Sequence, residues 1–363
     1  MYNKYGWQFY HWHIEPSSKC SLRCPRCPRT ELPNTPWLQK ELSLEQFQNA
    51  FTPDFISEYV QRFTMCGDVG DSIYCKDYLK IVDYIKQIKP TCHVYTITNG
   101  SYKTKSWWEE FARISNEYDT INFSVDGYDQ ASNDLYRVNN NFKSIMDGMW
   151  IMGHESSAFV NWACIYFSFN QDHTNTIVNL ARQNGCDSIQ WTKSTKFNSK
   201  YDGAYGISDP LEPRPEFVSK TDRYERHIQK IKNRIQNIDQ YMTTNLQKYL
   251  HTKPVNGIIP LCKVGNRGMY LNAEGTIHPC SWTSFPYTTM SYGDKVSVYK
   301  ESFFEKYRHI LNINNGSTLE EVLNHDLWQK FFNGMETDTW VECSLKCRSS
   351  VVDKDYAVGY ETN

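Results

Sequence analysis

The chain has 363 residues and a formal net charge of −2, which predicts two domains, or one large α/β barrel with an appendix. Hydrophobic residues make up 40% and aromatics 15%, enough to bury a large core and to exclude wholesale disorder. With 39 basic against 41 acidic residues, neither nucleic acid nor an anionic membrane is an expected partner.

The opening stretch MYNKYGWQFYHWHIEP has no basic region followed by an apolar one, so it does not read as a signal peptide. No run approaches the roughly 18 apolar residues of a spanning helix. A cytoplasmic location is the expectation. There the 12 cysteines serve metal binding or core packing rather than structural disulfides.

The first half alternates strand-like and helix-like segments in the manner of parallel βα units. The strand-like runs are QFYHWHI, RFTMC, HVYTIT, TINFSV, FVNWACIYFSF and SIQW, in that order. Between the first two, SLEQFQNAF opens with Ser43 and places Gln46 three residues on, a capping-box pattern. After the second, DYLKIVDYIKQIKP puts Tyr78, Ile81, Val82, Ile85 and Ile88 on one helical face and stops at Pro90. SWWEEFARIS offers Ser106 and Glu109 as a further capping box. FKSIMDGMWIMG and TNTIVNLARQNG each reach a glycine where a helix is expected to end. Six such strands fit a doubly wound sheet or a partial barrel, and in both the ligand lies beyond the carboxyl ends of the strands. The loops there are EPSSKCSLRCPRC, CGDVGDS, TNGS and SVDGYD. Their wealth of Gly, Asp, Ser, Asn and Cys makes them one candidate site.

Residues 200–215 are rich in Gly, Pro and Asp and read as a linker. Residues 215–250 are polar with helical spacing of Ile228, Ile231, Ile235 and Ile238. A second cysteine-bearing segment starts at residue 259. It reads as a hairpin, RGMYLN and TIHPC joined at Ala273-Glu274-Gly275.

Cys20-x3-Cys24-x2-Cys27 in the first loop suits an iron–sulfur cluster, which is held by thiolates on short loops. Three thiolates leave one iron of a cubane open to a ligand, as catalytic zinc keeps an open position. The alternatives are a zinc site completed by His11 or His13, which alternate onto one side of the first strand, and three unrelated thiols. Downstream, Cys262, Cys280, Cys343 and Cys347 supply four ligands, for a second cluster or for a four-cysteine zinc ribbon. Of the other five, Cys92, Cys164 and Cys186 read as core thiols. Cys66 and Cys75 flank the second-strand loop and are candidates for a hydrogen-donor role.

The triad at the end of a first strand in a βα chain resembles the radical S-adenosylmethionine superfamily. The resemblance implies a 4Fe–4S cluster on Cys20, Cys24 and Cys27 whose open iron chelates S-adenosylmethionine. It implies reductive cleavage of that cofactor to a 5′-deoxyadenosyl radical, which abstracts a substrate hydrogen. CGDVGDS lies where the family has its Gly-Gly-Glu-type motif, so Gly67, Asp68, Gly70 and Asp71 are expected to hold the methionine amino group. Glycines admit a close backbone and a carboxylate pairs with an ammonium. Thr98, Asn99 and Gly100 match a loop lining the cofactor site, Ser124 and Asp126 match contacts to ribose or methionine, and Arg137 matches an arginine on the methionine carboxylate. The sequence departs from the family at Arg26, where relatives often have an aromatic, and in CIYFSFNQD, which lacks the fifth-strand adenine motif. Trp191 is the expected adenine contact instead.

The later cysteines resemble the SPASM and twitch extensions of the superfamily, which bind auxiliary clusters. Four rather than seven cysteines imply one auxiliary 4Fe–4S cluster, fully ligated and suited to electron transfer or structural support. The expected fold is thus an α/β partial (β/α)6 TIM-like barrel over residues 1–198, a linker with a polar helix over 199–258, and a small SPASM/twitch-like domain over 259–363. The implied partners are a flavodoxin- or ferredoxin-type reductant and a peptide substrate. A carbohydrate-type alcohol oxidised by a radical dehydrogenase, or a non-catalytic iron–sulfur scaffold, are the alternatives. The first strand begins so early that no N-terminal peptide-recognition domain is expected, which weighs against the peptide. The Tyr- and Asn-rich composition is similar to bacterial, phage-encoded members.

Overall fold

Strands β1 (His11–Ile14), β2 (Arg62–Met65), β3 (His93–Thr98), β4 (Thr120–Ser124), β5 (Phe159–Ile165) and β6 (Ser188–Thr192) fall on the six apolar runs of the sequence. Each pairs in parallel with the next. The computed structural model describes residues 9–25, 27–31, 39–67, 69–194, 210–223, 262, 269–284 and 303–334. Helices α1 (Pro28–Glu31) to α8 (Thr174–Gln183) lie between these strands, among them α4 (Tyr78–Ile88), α5 (Lys105–Ile114), α6 (Gln130–Asp134) and α7 (Phe142–Glu155). The result is a mixed α/β, partial TIM-like core, one of the two arrangements that the alternation left open and the one that the resemblance implies.

Alternation along the strands separates two faces. Phe63, Met65, Val94, Ile121, Phe123, Val160, Trp162 and Ile189 point to the helices and are buried in the main core. Tyr78, Ile81, Val82 and Ile85 of α4 are buried in the same core, and Ile88 packs against it. The opposite, concave face is polar. Trp191 belongs to the first face, since it is in register with Cys164, is 1% exposed and stacks on Tyr166 at 4.9 Å. It is therefore a core residue and not an adenine contact.

Local signals hold with two corrections. Ser43 and Gln46 form the expected capping box on α2 (Leu44–Ala50). The cap of α5 is Thr104, whose side chain accepts from the Trp107 amide, and Ser106 sits inside the first turn. Thr104 has the extended backbone a cap requires, and Ser106 does not come first. The glycines of α7 do not end it. A Cβ at Gly148 would stand 2.3 Å from the Trp108 ring, so that glycine lets α5 and α7 close on each other.

The cysteine-bearing hairpin forms as β8 (Met269–Leu271) and β9 (Ile277–His278), with Gly275 at φ +86° in the turn. β8 pairs in parallel with β1, and β7 (Lys220–Arg223) pairs antiparallel with β6. Among the described residues these strands form one nine-stranded sheet, in the order β7-β6-β5-β4-β3-β2-β1-β8-β9. Segments expected as linker and separate domain thus supply strands to the barrel's own sheet. After α9 (Ser281–Ser284), helices α10 (Phe303–Tyr307), α11 (Leu319–Leu323) and α12 (Leu327–Gly334) bury Phe304, Leu323, Trp328 and Phe331 in the same core. Arg26, Asp68, Cys343 and Cys347 lie outside the described residues, as does the polar helix expected over 215–250 from residue 224 on; its described start, Lys220–Arg223, is strand β7 rather than helix. Among the described residues no helix is long and apolar enough to cross a membrane.

Candidate functional site

The loop after β1 is held in place from three sides. Asp71 N donates to Lys19 O at 2.9 Å, Leu42 N to Pro16 O at 2.9 Å, and Arg23 N to Val138 O at 2.9 Å. Asn139 Nδ2 donates to Ser21 O at 2.9 Å, and the Ser21 hydroxyl meets Tyr74 Oη at 2.5 Å. Arg29 Nη1 donates to Ser18 O at 2.6 Å, tying the turn after Cys27 back to its start. So braced, the loop turns Cys20, Cys24 and Cys27 into one cavity of about 280 Å³.

The other three loops reach the same cavity. Gly67, Gly70 and Asp71 line it from β2, Thr98 and Asn99 from β3, and Ser124 and Arg137 from β4 and beyond. The glycines are required by close approach: a Cβ at Gly70 would stand 1.9 Å from Ser17 O, and one at Gly67 2.5 Å from Gly70 O. Gly100 does not line the cavity; at φ +73° it makes the turn that follows Asn99. Asp126 does not line it either. Its carboxylate is fully buried, accepts from Ile165 N at 2.7 Å, and pairs with Arg137 Nε at 2.6 Å. Asp126 thus aims Arg137.

Burial sets the electrostatics. It pushes the Cys20 thiol up to about 12, with the Asp71 charge adding to the shift. Burial also raises Cys24, and Arg137 opposes it. Asp71 is raised to about 6 by burial, against hydrogen bonds from the Asn99 and Ile73 amides. Neutral thiols in this setting become ligands only beside an electrophile that stabilises the thiolate. Among the described residues no three His, Cys, Asp or Glu form a set for a single metal ion. Three convergent thiols around a space this large suit a polynuclear cluster. His11 and His13, the candidates to complete a zinc site, do not line the cavity.

Several lining residues carried no signal in the sequence. Arg29 and Tyr136 line the cavity, as do Leu22, Val69, Ile97 and Ile165. Tyr136, Phe167, Leu22 and Cys24 form a small apolar cluster of their own, with Tyr136 and Phe167 centred 4.4 Å apart. Cys66 lines the cavity, whereas Cys75 is core, its Sγ donating to Leu42 O at 3.2 Å. Cys262 and Cys280 are half-buried, and their two expected partners lie outside the described residues. Glu15 is a further omission. Its Oε1 accepts from Val69 N at 3.1 Å and Gly70 N at 3.4 Å, and its Oε2 from Ala273 N at 3.4 Å.

The model of the Radical SAM superfamily matches residues 14–152, the stretch that supplies every lining residue of this cavity except Ile165. No curated protein matches the chain. Among solved structures, the fold is similar to hexahistidine-tagged anSMEcpe with bound AdoMet, at 15% identity and TM-score 0.51, over 93% of this chain and 85% of that one. It is also similar to native anSMEcpe with bound AdoMet and Kp18Cys peptide, at 14% identity and TM-score 0.51, over 93% and 88%. A third is Streptococcus suis SuiB bound to precursor peptide SuiA, at 12% identity and TM-score 0.53, over 92% and 69%.

Proposed function

We propose that the protein is a radical S-adenosylmethionine enzyme that modifies a peptide or protein, with an auxiliary 4Fe–4S cluster for electron transfer. The observation that carries this reading is the single cavity shared by the three cysteines and by Gly67, Gly70, Asp71, Thr98, Asn99, Ser124 and Arg137. When bound, a 4Fe–4S cluster on Cys20, Cys24 and Cys27 supplies one electron to S-adenosylmethionine, which yields a 5′-deoxyadenosyl radical able to take a substrate hydrogen. The chain's own residues bind and orient. Asp71 offers a carboxylate to the methionine ammonium, and Arg137, aimed by Asp126, offers its remaining donors to the methionine carboxylate. Val69, Ile97 and Ile165 give the cavity apolar walls that exclude water. Cys262, Cys280, Cys343 and Cys347 would hold the auxiliary cluster, and a flavodoxin- or ferredoxin-type protein would deliver electrons. The peptide class is supported by the fold shared with SuiB, solved with a precursor peptide, and with anSMEcpe, solved with AdoMet and a peptide.

Anaerobic reconstitution tests the reading. Full-length protein should carry about eight irons for two clusters, and replacing Cys20, Cys24 and Cys27 with Ala should remove about half. Reduced protein given S-adenosylmethionine should release 5′-deoxyadenosine. Stoichiometric zinc without iron, or an iron-replete reduced protein that releases none, would defeat it.

A further inference from the structure

The concave face of the sheet carries a second polar group, deeper than the cysteine cavity. His11, Arg62 and His93 share one rung across β1, β2 and β3, and His13, Thr64 and Tyr95 share the next. Arg62 is 7% exposed. Its Nε donates to Thr64 Oγ1 at 3.2 Å, and its guanidinium lies 4.9 Å from the centre of the Tyr95 ring. The same Thr64 hydroxyl meets His11 Nε2 at 2.9 Å.

Among the described residues no carboxylate pairs with Arg62. Lys86, the other buried lysine or arginine among them, pairs with Asp119 at 3.0 Å. Glu15, two residues beyond His13, gives its oxygens to the amides of Val69, Gly70 and Ala273. A buried guanidinium with one neutral hydrogen bond and one ring contact is costly to keep. Its planar fork of donors matches a carboxylate or a phosphate, and such a ligand would supply the missing charge.

We propose that Arg62 and Thr64, flanked by His11 and His93, form an anchoring site for an oxyanion, a carboxylate or phosphate borne by the substrate. Arg62 stands four residues before Cys66, which lines the cysteine cavity. At about 3.3 Å per residue the two are roughly 13 Å apart along β2. A substrate held here by its acid group would extend up the concave face towards the thiols. Calling the anion a substrate rests on the radical reading; the anion site itself does not.

The test uses the full chain without added iron or S-adenosylmethionine, by calorimetric titration and thermal melting. Disodium succinate and inorganic phosphate are the probes, with sodium chloride at matched ionic strength as control. One or both probes should bind at one site per chain and raise the melting temperature, and the responding probe identifies the anion. Arg62→Met should weaken that binding at least tenfold and melt no lower than the parent, because an uncompensated charge has left the interior. Thr64→Val keeps the guanidinium and should weaken binding severalfold, which covers an Arg62→Met protein that fails to fold. A parent that responds to neither probe, or a response that survives both substitutions, overturns the site. Either failure leaves 5′-deoxyadenosine release, and with it the radical reading, untouched.

Discussion

Both oxygens of Asp71 accept from backbone amides, Oδ1 from Ile73 and Oδ2 from Asn99 at 2.6 Å, and burial holds its pKa at about 6. A raised carboxylate is a liability above its pKa: Asp71 subtracts stability as pH rises from 3.8 through about 6. The fold keeps it because the same oxygens hold Asn99, whose amide lies 3.5 Å from Cys20 Sγ. Asp71→Ala should therefore destabilise by about 2–3 kcal/mol through unsatisfied amides, read by urea unfolding, and should abolish S-adenosylmethionine binding. His13 titrates with the opposite sign. Burial lowers it from 6.5 to about 4, so stability is present above 6.5 and lost as pH falls towards 4. The stability of His13→Gln relative to the parent should rise by on the order of 3 kcal/mol between neutral pH and about pH 4. A parallel pH dependence of the two proteins would show that His13 is not the titrating group.

At the scale of elements, the site is made by loops that touch backbone to backbone. Gly70 lies against Ser17 and Ser18 so closely that any Cβ must move one loop. Gly70→Ala should cost about 2–4 kcal/mol by overpacking, and reconstituted iron at the triad should fall with it, because Asp71 N would lose Lys19 O. Full iron occupancy in a destabilised Gly70→Ala protein would show that the cysteine loop is braced without this contact. The misplaced cap of α5 belongs to this scale too. Thr104 and Ser106 both carry a cap-forming hydroxyl, and only the extended backbone of Thr104 decided between them.

For the whole molecule, the decisive contact joins residues far apart in the chain. Glu15 N donates to Leu271 O at 2.8 Å, and its carboxylate accepts from Ala273 on one side and the Gly67–Gly70 loop on the other. The hairpin that carries Cys280 is thereby coupled to the loops of the cysteine cavity. Glu15→Ala should speed amide hydrogen exchange at Val69, Gly70 and Ala273 together, by tenfold or more if about 1.4 kcal/mol is lost. Faster exchange at Ala273 alone would separate the hairpin from the cavity.

The sequence by itself determined the six strands, the order of their loops and the triad, because alternation, turn residues and thiol spacing are local properties. From these, nine expected residues met in one cavity: Cys20, Cys24, Cys27, Gly67, Gly70, Asp71, Thr98, Asn99 and Ser124, with Arg137 as a tenth. Only the tertiary structure put Asp126 behind Arg137 rather than in the cavity, and Trp191 on the helix face. Those outcomes depend on strand register and on which buried partner satisfies a charge. The same holds for β8, which β1 takes up as a parallel neighbour, and for Glu15, which its neighbours in sequence do not distinguish from any other glutamate. Three thiolates could be read from EPSSKCSLRCPRC, but the space they enclose exists only where four loops close on one another.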